Sequence, residues 1–165
     1  MDILRVYFDN VIVSGRVLGD LVPDTEMKAV LAIEAAHIAG RIKRVTSRES
    51  SREQQRTQDV AKRARLAAAE GELSAVSTDY ADLASLLGGG STDRETVLFP
   101  DFRRIGLKEA DARHLVNAVT TDCDRFVTTD PHFLSRRAAL ETHCGRLKIV
   151  APTDLAAELN RASME

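Results

Sequence analysis

Three aspartates occupy positions where a carboxylate could do chemistry instead of merely keeping a surface wet. Asp9 follows Ile3-Leu4-Arg5-Val6-Tyr7-Phe8, and Asp130 follows Arg125-Phe126-Val127-Thr128-Thr129. Both runs are short, β-branched and aromatic, so each reads as a buried strand with an aspartate at its carboxyl end. Asp111 lies among Leu107, Ala110, Leu115, Ala118 and Val119, the apolar side of a helix. A carboxylate turned toward a core is costly unless it is paired or holds a cation. Clusters of Asp and Glu without Cys or His suit hard divalent cations, and Mg²⁺ keeps several waters while a few carboxylates anchor it. Taken singly, Asp9 with Asn10 also reads as a turn, and Asp130 before Pro131 as an ordinary helix cap.

The charge distribution adds a possible partner. The formal net charge is only −2, but Arg41 to Arg65 holds nine Lys/Arg against three acids, a local +6 that leaves −8 for the rest. Such a segment suits a face that touches phosphate, although a solvated helix laced with i,i+4 pairs has the same composition. With no Trp and 4% aromatic residues, base stacking is a poor recognition device, so any nucleic acid would be held by charge and shape.

The elements that must position these groups alternate. Ile3–Phe8 predicts a strand. Asp24 caps a helix carrying Met27, Val30, Leu31, Ala35 and Ile38 to Gly40, and Ile42–Val45 is a second strand. Ser47 caps a basic helix reaching about Ala69, and a further helix runs from Asp79 to Leu87 before the loop Gly88-Gly89-Gly90-Ser91. The Asp111 helix, the strand Arg125–Thr128, a helix opened by Asp130-Pro131, the strand Lys148–Val150 and a helix capped by Thr153 complete the chain. Alternation of this kind predicts an α/β fold with a mainly parallel sheet covered on both faces, whose ligands gather at the carboxyl ends of strands. A chain of 165 residues fits one domain spanning 1–165. Two cysteines without a C-x-x-C spacing and a charged N-terminus predict a reducing, cytoplasmic setting, and no apolar run is long enough for a membrane.

Four segments in this order resemble the PIN-domain family: Val6-Tyr7-Phe8-Asp9-Asn10; Ser47 with Glu53 six residues on; Lys108-Glu109-Ala110-Asp111-Ala112-Arg113-His114-Leu115; and Cys123-Asp124-Arg125-Phe126-Val127-Thr128-Thr129-Asp130. The resemblance covers nearly the whole chain. It implies a three-layer α/β/α fold in which Asp9, Glu53, Asp111 and Asp130 bind Mg²⁺ or Mn²⁺ and hydrolyse phosphodiesters, usually of RNA. The resemblance implies a metal-dependent endoribonuclease; a metal-bound water would serve as its nucleophile, and single-stranded RNA is the expected substrate because specific RNA recognition mostly targets unpaired loops and ends. It also makes a toxin of a toxin–antitoxin pair a candidate role, with an antitoxin protein or a second copy of the chain as candidate partners.

The chain departs from the family pattern in two places. Asp9 is followed directly by Asn10 where many members have Asp-x-Asn, so Asp9 is carried over and Asn10 is not. Arg48-Glu49-Ser50-Ser51-Arg52 replaces residues that are usually apolar, which makes Glu49 an alternative to Glu53, with Glu34 a third candidate. The polar surroundings of Glu53 also define a competing reading: a PIN-like module that binds RNA or protein without cleaving. A receiver-like phospho-accepting domain ranks last. His114 and His132 lie near the acids and read as structural histidines, while Cys123, Cys144 and His143 lack the spacing of a zinc site.

Overall fold

The computed structural model describes residues 3–19, 21, 23–74, 79–80 and 93–164, with the backbone alone at 48–49, 51–52, 70–74, 79–80 and 93–95. Among the described residues, five strands form one sheet: β1 (Leu4–Phe8), β2 (Ile42–Thr46), β3 (Asp79–Tyr80), β4 (Arg125–Val127) and β5 (Lys148–Val150). Their order is β3-β2-β1-β4-β5, and every pairing is parallel. All carboxyl ends therefore share one edge of the sheet. The order reverses between β1 and β4, which opens a crevice there.

The helices are α1 (Asn10–Leu18), α2 (Asp24–Ile38), α3 (Arg48–Gln55), α4 (Val60–Ser74), α5 (Asp93–Ile105), α6 (Glu109–Thr120), α7 (Pro131–Leu134), α8 (Arg137–Glu141) and α9 (Pro152–Ala162). Side chains alternate across a strand, so β1 feeds two cores. Val6 and Phe8, with Ile42 and Val127, meet Ile12 and Val13 of α1, Val30 and Ile33 of α2, and Leu155 of α9. Tyr7, with Val45, Phe126 and Ile149, meets Phe102 of α5, Leu115 and Val119 of α6, and Phe133 of α7. The fold is thus a three-layer α/β/α sandwich around a parallel sheet. Among the described residues no helix is long and apolar enough to cross a membrane.

Phe126 shows how packing places the crevice. Its ring stacks on Tyr7 at 5.4 Å and tilts against Phe133 at 4.8 Å. Truncation to Ala would cost about 3–5 kcal/mol. It would also release β4, whose chain continues directly into Thr128 and Asp130.

Several expectations need correction. Asp9-Asn10 is not a turn: Asp9 is the N-cap of α1, its carboxylate accepting the Asn10 N–H at 2.8 Å. Gly19 closes that helix at φ +72, a left-handed conformation open to glycine at little cost. The basic helix is not continuous from Ser47 to Ala69 but breaks between Gln55 and Val60. Asp59 starts the second piece by accepting the Lys62 N–H on its carboxylate at 2.9 Å and the Arg63 N–H on its carbonyl at 2.9 Å. Asp79 and Tyr80 pair with β2 as a strand and do not begin a helix; the rest of that proposed helix and the glycine tract lie outside the described residues.

The cap positions of α2 and α9 are held by Pro23 and Ala151, not Asp24 and Thr153, and Thr153 Oγ1 instead donates to Glu26 at 2.9 Å. On α2 the buried stripe is Ala29, Val30, Ile33, Ala36 and His37, while Leu31 and Ile38 face outward. Apolar residues lie all round this helix, so its spacing alone did not choose a side. Helix α5 carries Pro100 in its interior and was not expected.

Candidate metal centre

Each acid reaches the crevice from a different element. Asp9 sits between β1 and α1 and is 5% exposed. Its Oδ1 accepts the Asn10 N–H, and its Oδ2 accepts the Thr128 hydroxyl at 2.6 Å. Thr128 Oγ1 in turn accepts the Asp130 N–H at 3.0 Å, so one hydroxyl ties the end of β1 to the end of β4. Asp130 caps α7, with Oδ1 accepting the His132 N–H at 2.8 Å and lying 3.0 Å from His132 Nδ1. Asp111 lies in the first turn of α6 and is partly buried, and the positive end of that helix favours a charge there.

Glu53 comes from α3 and lies 3.1 Å from Nε2 of His114, a residue 1% exposed on α6. His114 Nδ1 is 2.6 Å from Tyr7 Oη, which is also 2.6 Å from Ser47 Oγ. Asn10 joins the same rim, its Oδ1 accepting from Gln54 Nε2 at 3.4 Å.

The electrostatics tie these positions together. Burial pushes the Asp9 carboxyl up to about 6 against the lowering pull of the Thr128 hydrogen bond, and the Asp111 charge adds to the rise. Burial also raises Asp111, followed by repulsion from Asp130 and Glu53. Burial of Glu53 disfavours its charge, but the bond and charge of His114, helped by Asn10 and Arg56, outweigh it and hold the carboxyl below its ordinary value. Asp130 and Glu53 thus bear on Asp111, and Asp111 in turn bears on Asp9. Repulsion of this kind is relieved by protons or by a cation.

Asp111 thus lies within electrostatic reach of Asp9, Glu53 and Asp130. Glu34 is not with them: it pairs with Arg16 at 3.1 Å, in the last turn of α1, at the opposite end of that helix from Asp9. The side chains of Glu49, Arg48 and Arg52 lie outside the described residues. His114 is more than a satisfied core histidine, since it bridges the core to a site acid. Tyr7, Ser47, Thr128 and Asn10 are further site residues that sequence reasoning did not assign. Asn10 and Ser47 were visible in the matched segments, but no spacing signal links Tyr7 to His114 across 107 residues.

Among the described residues, no group of three or more His, Cys, Asp and Glu side chains is set to hold a metal ion by itself. The donor chemistry nonetheless fits Mg²⁺ or Mn²⁺: the carboxylates are oxygen donors, and Mg²⁺ usually keeps several waters beside one or two of them. Beside the site, a groove of about 530 Å³ runs along α1, lined by Asn10, Ser14, Leu18, Leu21, Lys62 and Thr129. Compared with protein-family models, with curated proteins and with solved structures, the chain matches none.

Proposed function

We propose that the chain is a divalent-metal-dependent endoribonuclease, similar to the PIN-domain family, that hydrolyses phosphodiesters of single-stranded RNA. The observation that carries this reading is the charge coupling of Asp111 to Asp130, Glu53 and Asp9 near the β1/β4 reversal. Asp9, Glu53, Asp111 and Asp130 would hold Mg²⁺ or Mn²⁺, which supplies a water acidic enough to act as a nucleophile near neutral pH. Asn10 and Thr128 orient Asp9. The four carboxylates alone would repel a polyanion, so the flanking cations matter: Arg56 acts on Glu53, and Lys62 forms one wall of the groove. That groove gives one strand of RNA a path away from the crevice, consistent with the preference of RNA-recognising proteins for unpaired segments.

The test is cleavage of a labelled single-stranded RNA by purified protein. Activity is expected with Mg²⁺ or Mn²⁺ and none in EDTA. Equal activity in chelator would sink the metal mechanism, and binding without cleavage in either metal would favour the module that only binds RNA. A toxin role, with an antitoxin protein as partner, belongs to the same reading. It predicts growth arrest on expression, relieved by co-expressing the product of an adjacent small reading frame.

A further inference from the structure

Tyr7, Ser47 and His114 are each no more than 1% exposed, yet they form a polar chain through an otherwise apolar core. Buried polar groups persist when their hydrogen bonds are mutually satisfied, and partly satisfied networks are costly. Here hydrogen bonds of 2.6 Å and 2.6 Å join Ser47 Oγ to Tyr7 Oη and Tyr7 Oη to His114 Nδ1, and His114 Nε2 lies 3.1 Å from Glu53 Oε2, at ion-pair distance but without the alignment of a hydrogen bond. Its far end is a site carboxylate, which can only accept. Nε2 must then carry the proton that faces it. When the imidazole is neutral this leaves Nδ1 to accept from the Tyr7 hydroxyl, and when the ring carries the positive charge that lowers Glu53 both nitrogens donate and Tyr7 accepts; Nε2–H faces the carboxylate in either state.

We infer that His114 is a positioning residue whose Nε2–H, braced from behind by Tyr7 and Ser47, holds the Glu53 carboxylate in the crevice. This rests on the metal-site reading only for its consequence, because the bracing itself needs no metal. Tyr7 lies on β1 and Ser47 directly before α3, so the ring is fixed between the strand that ends in Asp9 and the helix that carries Glu53. The edge-on approach of the Tyr7 and His114 rings, 5.8 Å between centroids, leaves both hydroxyl and imidazole edges free for these bonds. Groups that orient metal-binding side chains typically alter metal affinity 10–100-fold when removed.

Two measurements on the full chain test the inference. Nitrogen NMR of metal-free protein at neutral pH should find His114 Nε2 protonated, and side-chain couplings should find Glu53 in one rotamer. Tyr7→Phe, which deletes one oxygen from a ring that keeps its packing, should average that rotamer and weaken Mn²⁺ binding, read by calorimetry, about tenfold. Ser47→Ala should act in the same direction. A bare Nε2, or a Tyr7→Phe protein with unchanged Glu53 couplings, overturns the positioning role. If the wild-type protein binds no Mn²⁺ while both NMR results hold, the metal reading fails and the positioning stands.

Discussion

His37 and His114 are buried to the same degree, each 1% exposed, and sit on helices covering opposite faces of the sheet. Their partners differ in kind. His37 Nδ1 accepts the Arg44 backbone N–H at 3.3 Å, seven residues away, across the turn that joins α2 to β2. His114 instead joins side chains from β1 and α3, with Tyr7 lying 107 residues away in sequence and a carboxylate at its far end. Burial alone does not separate a structural histidine from one serving a site. The separating features are the sequence distance to its partners and whether the chain of bonds ends on backbone or on a group that faces the crevice.

The strongest attack on this contrast is to remove a site acid. Asp111→Asn is nearly isosteric and should cut metal-dependent RNA cleavage roughly 10²–10³-fold, the range typical for losing one electrostatic contact to a transition state. In EDTA the same variant should melt at or above the wild-type temperature, because burial and the Asp130 and Glu53 charges penalise ionised Asp111. Saturating Mn²⁺ should stabilise wild type by about 2.7 kcal/mol at a hundred times its dissociation constant, and the variant by much less. A destabilised, metal-indifferent variant would return Asp111 to a structural role at the head of α6.

Asp9 makes a pH-dependent claim. Its folded value, about 6, lies above the ordinary 3.8, so between these pH values the folded state binds more protons than the unfolded. Stability must then fall as pH rises through that window. The full penalty, present above pH about 6, is at most about 3 kcal/mol. Asp9→Asn should remove it, less whatever is lost because an amide nitrogen replaces one acceptor of the Thr128 and Asn10 bonds. Urea melts of metal-free protein at pH 4, 5, 6 and 7 should show the wild type losing ground to the variant across the series. Parallel curves would remove Asp9 as the source of the trend.

The histidine pair itself gives a smaller contrast. His114→Leu and His37→Leu should each cost about 1–3 kcal/mol in stability, since each leaves a buried partner unmatched. Only His114→Leu should also slow metal-dependent cleavage, by about 10–100-fold, when assayed well below both melting temperatures. Equal losses in the two variants would dissolve the distinction drawn above.

The strands and acids were legible because their signals are local. Val6-Tyr7-Phe8 and Phe126-Val127 are continuous apolar runs of the kind a strand buried on both faces requires, and Asp9 and Asp130 end them. The break between Gln55 and Val60 was equally local but was outvoted: Asp59 before Val60 is a cap signal, set inside a long basic stretch that reads as continuous helix. Helix α1 was hidden by Asp9-Asn10, a pair that announces a turn as readily as a helix start. Strand β3, with two residues, is too short for any period to register. The bracing of Glu53 was illegible for another reason. Its bonds join Tyr7, Ser47 and His114 across three elements, and no one-dimensional pattern encodes which side of β1 faces which turn of α6.

The smallest predicted effect concerns the groove. Among the described residues Lys62 is the only charged one lining the groove, and its ammonium can offer one phosphate contact. On single strands each such contact contributes about 0.7 to the slope of log affinity against log salt. Lys62→Gln should therefore lower that slope by about 0.7 for a short RNA measured by fluorescence anisotropy in EDTA, where no cleavage occurs. Arg63→Gln serves as control, because Arg63 is the next residue on α4, is exposed and does not line the groove. If the groove carries the strand, Lys62 should matter and Arg63 should not. Equal losses would mean diffuse attraction by the whole basic segment, with the strand taking no fixed path. An unchanged slope in both variants would assign this part of α4 to ordinary solvated surface, leaving the carboxylate crevice to be judged by the Asp111 and Asp9 variants alone.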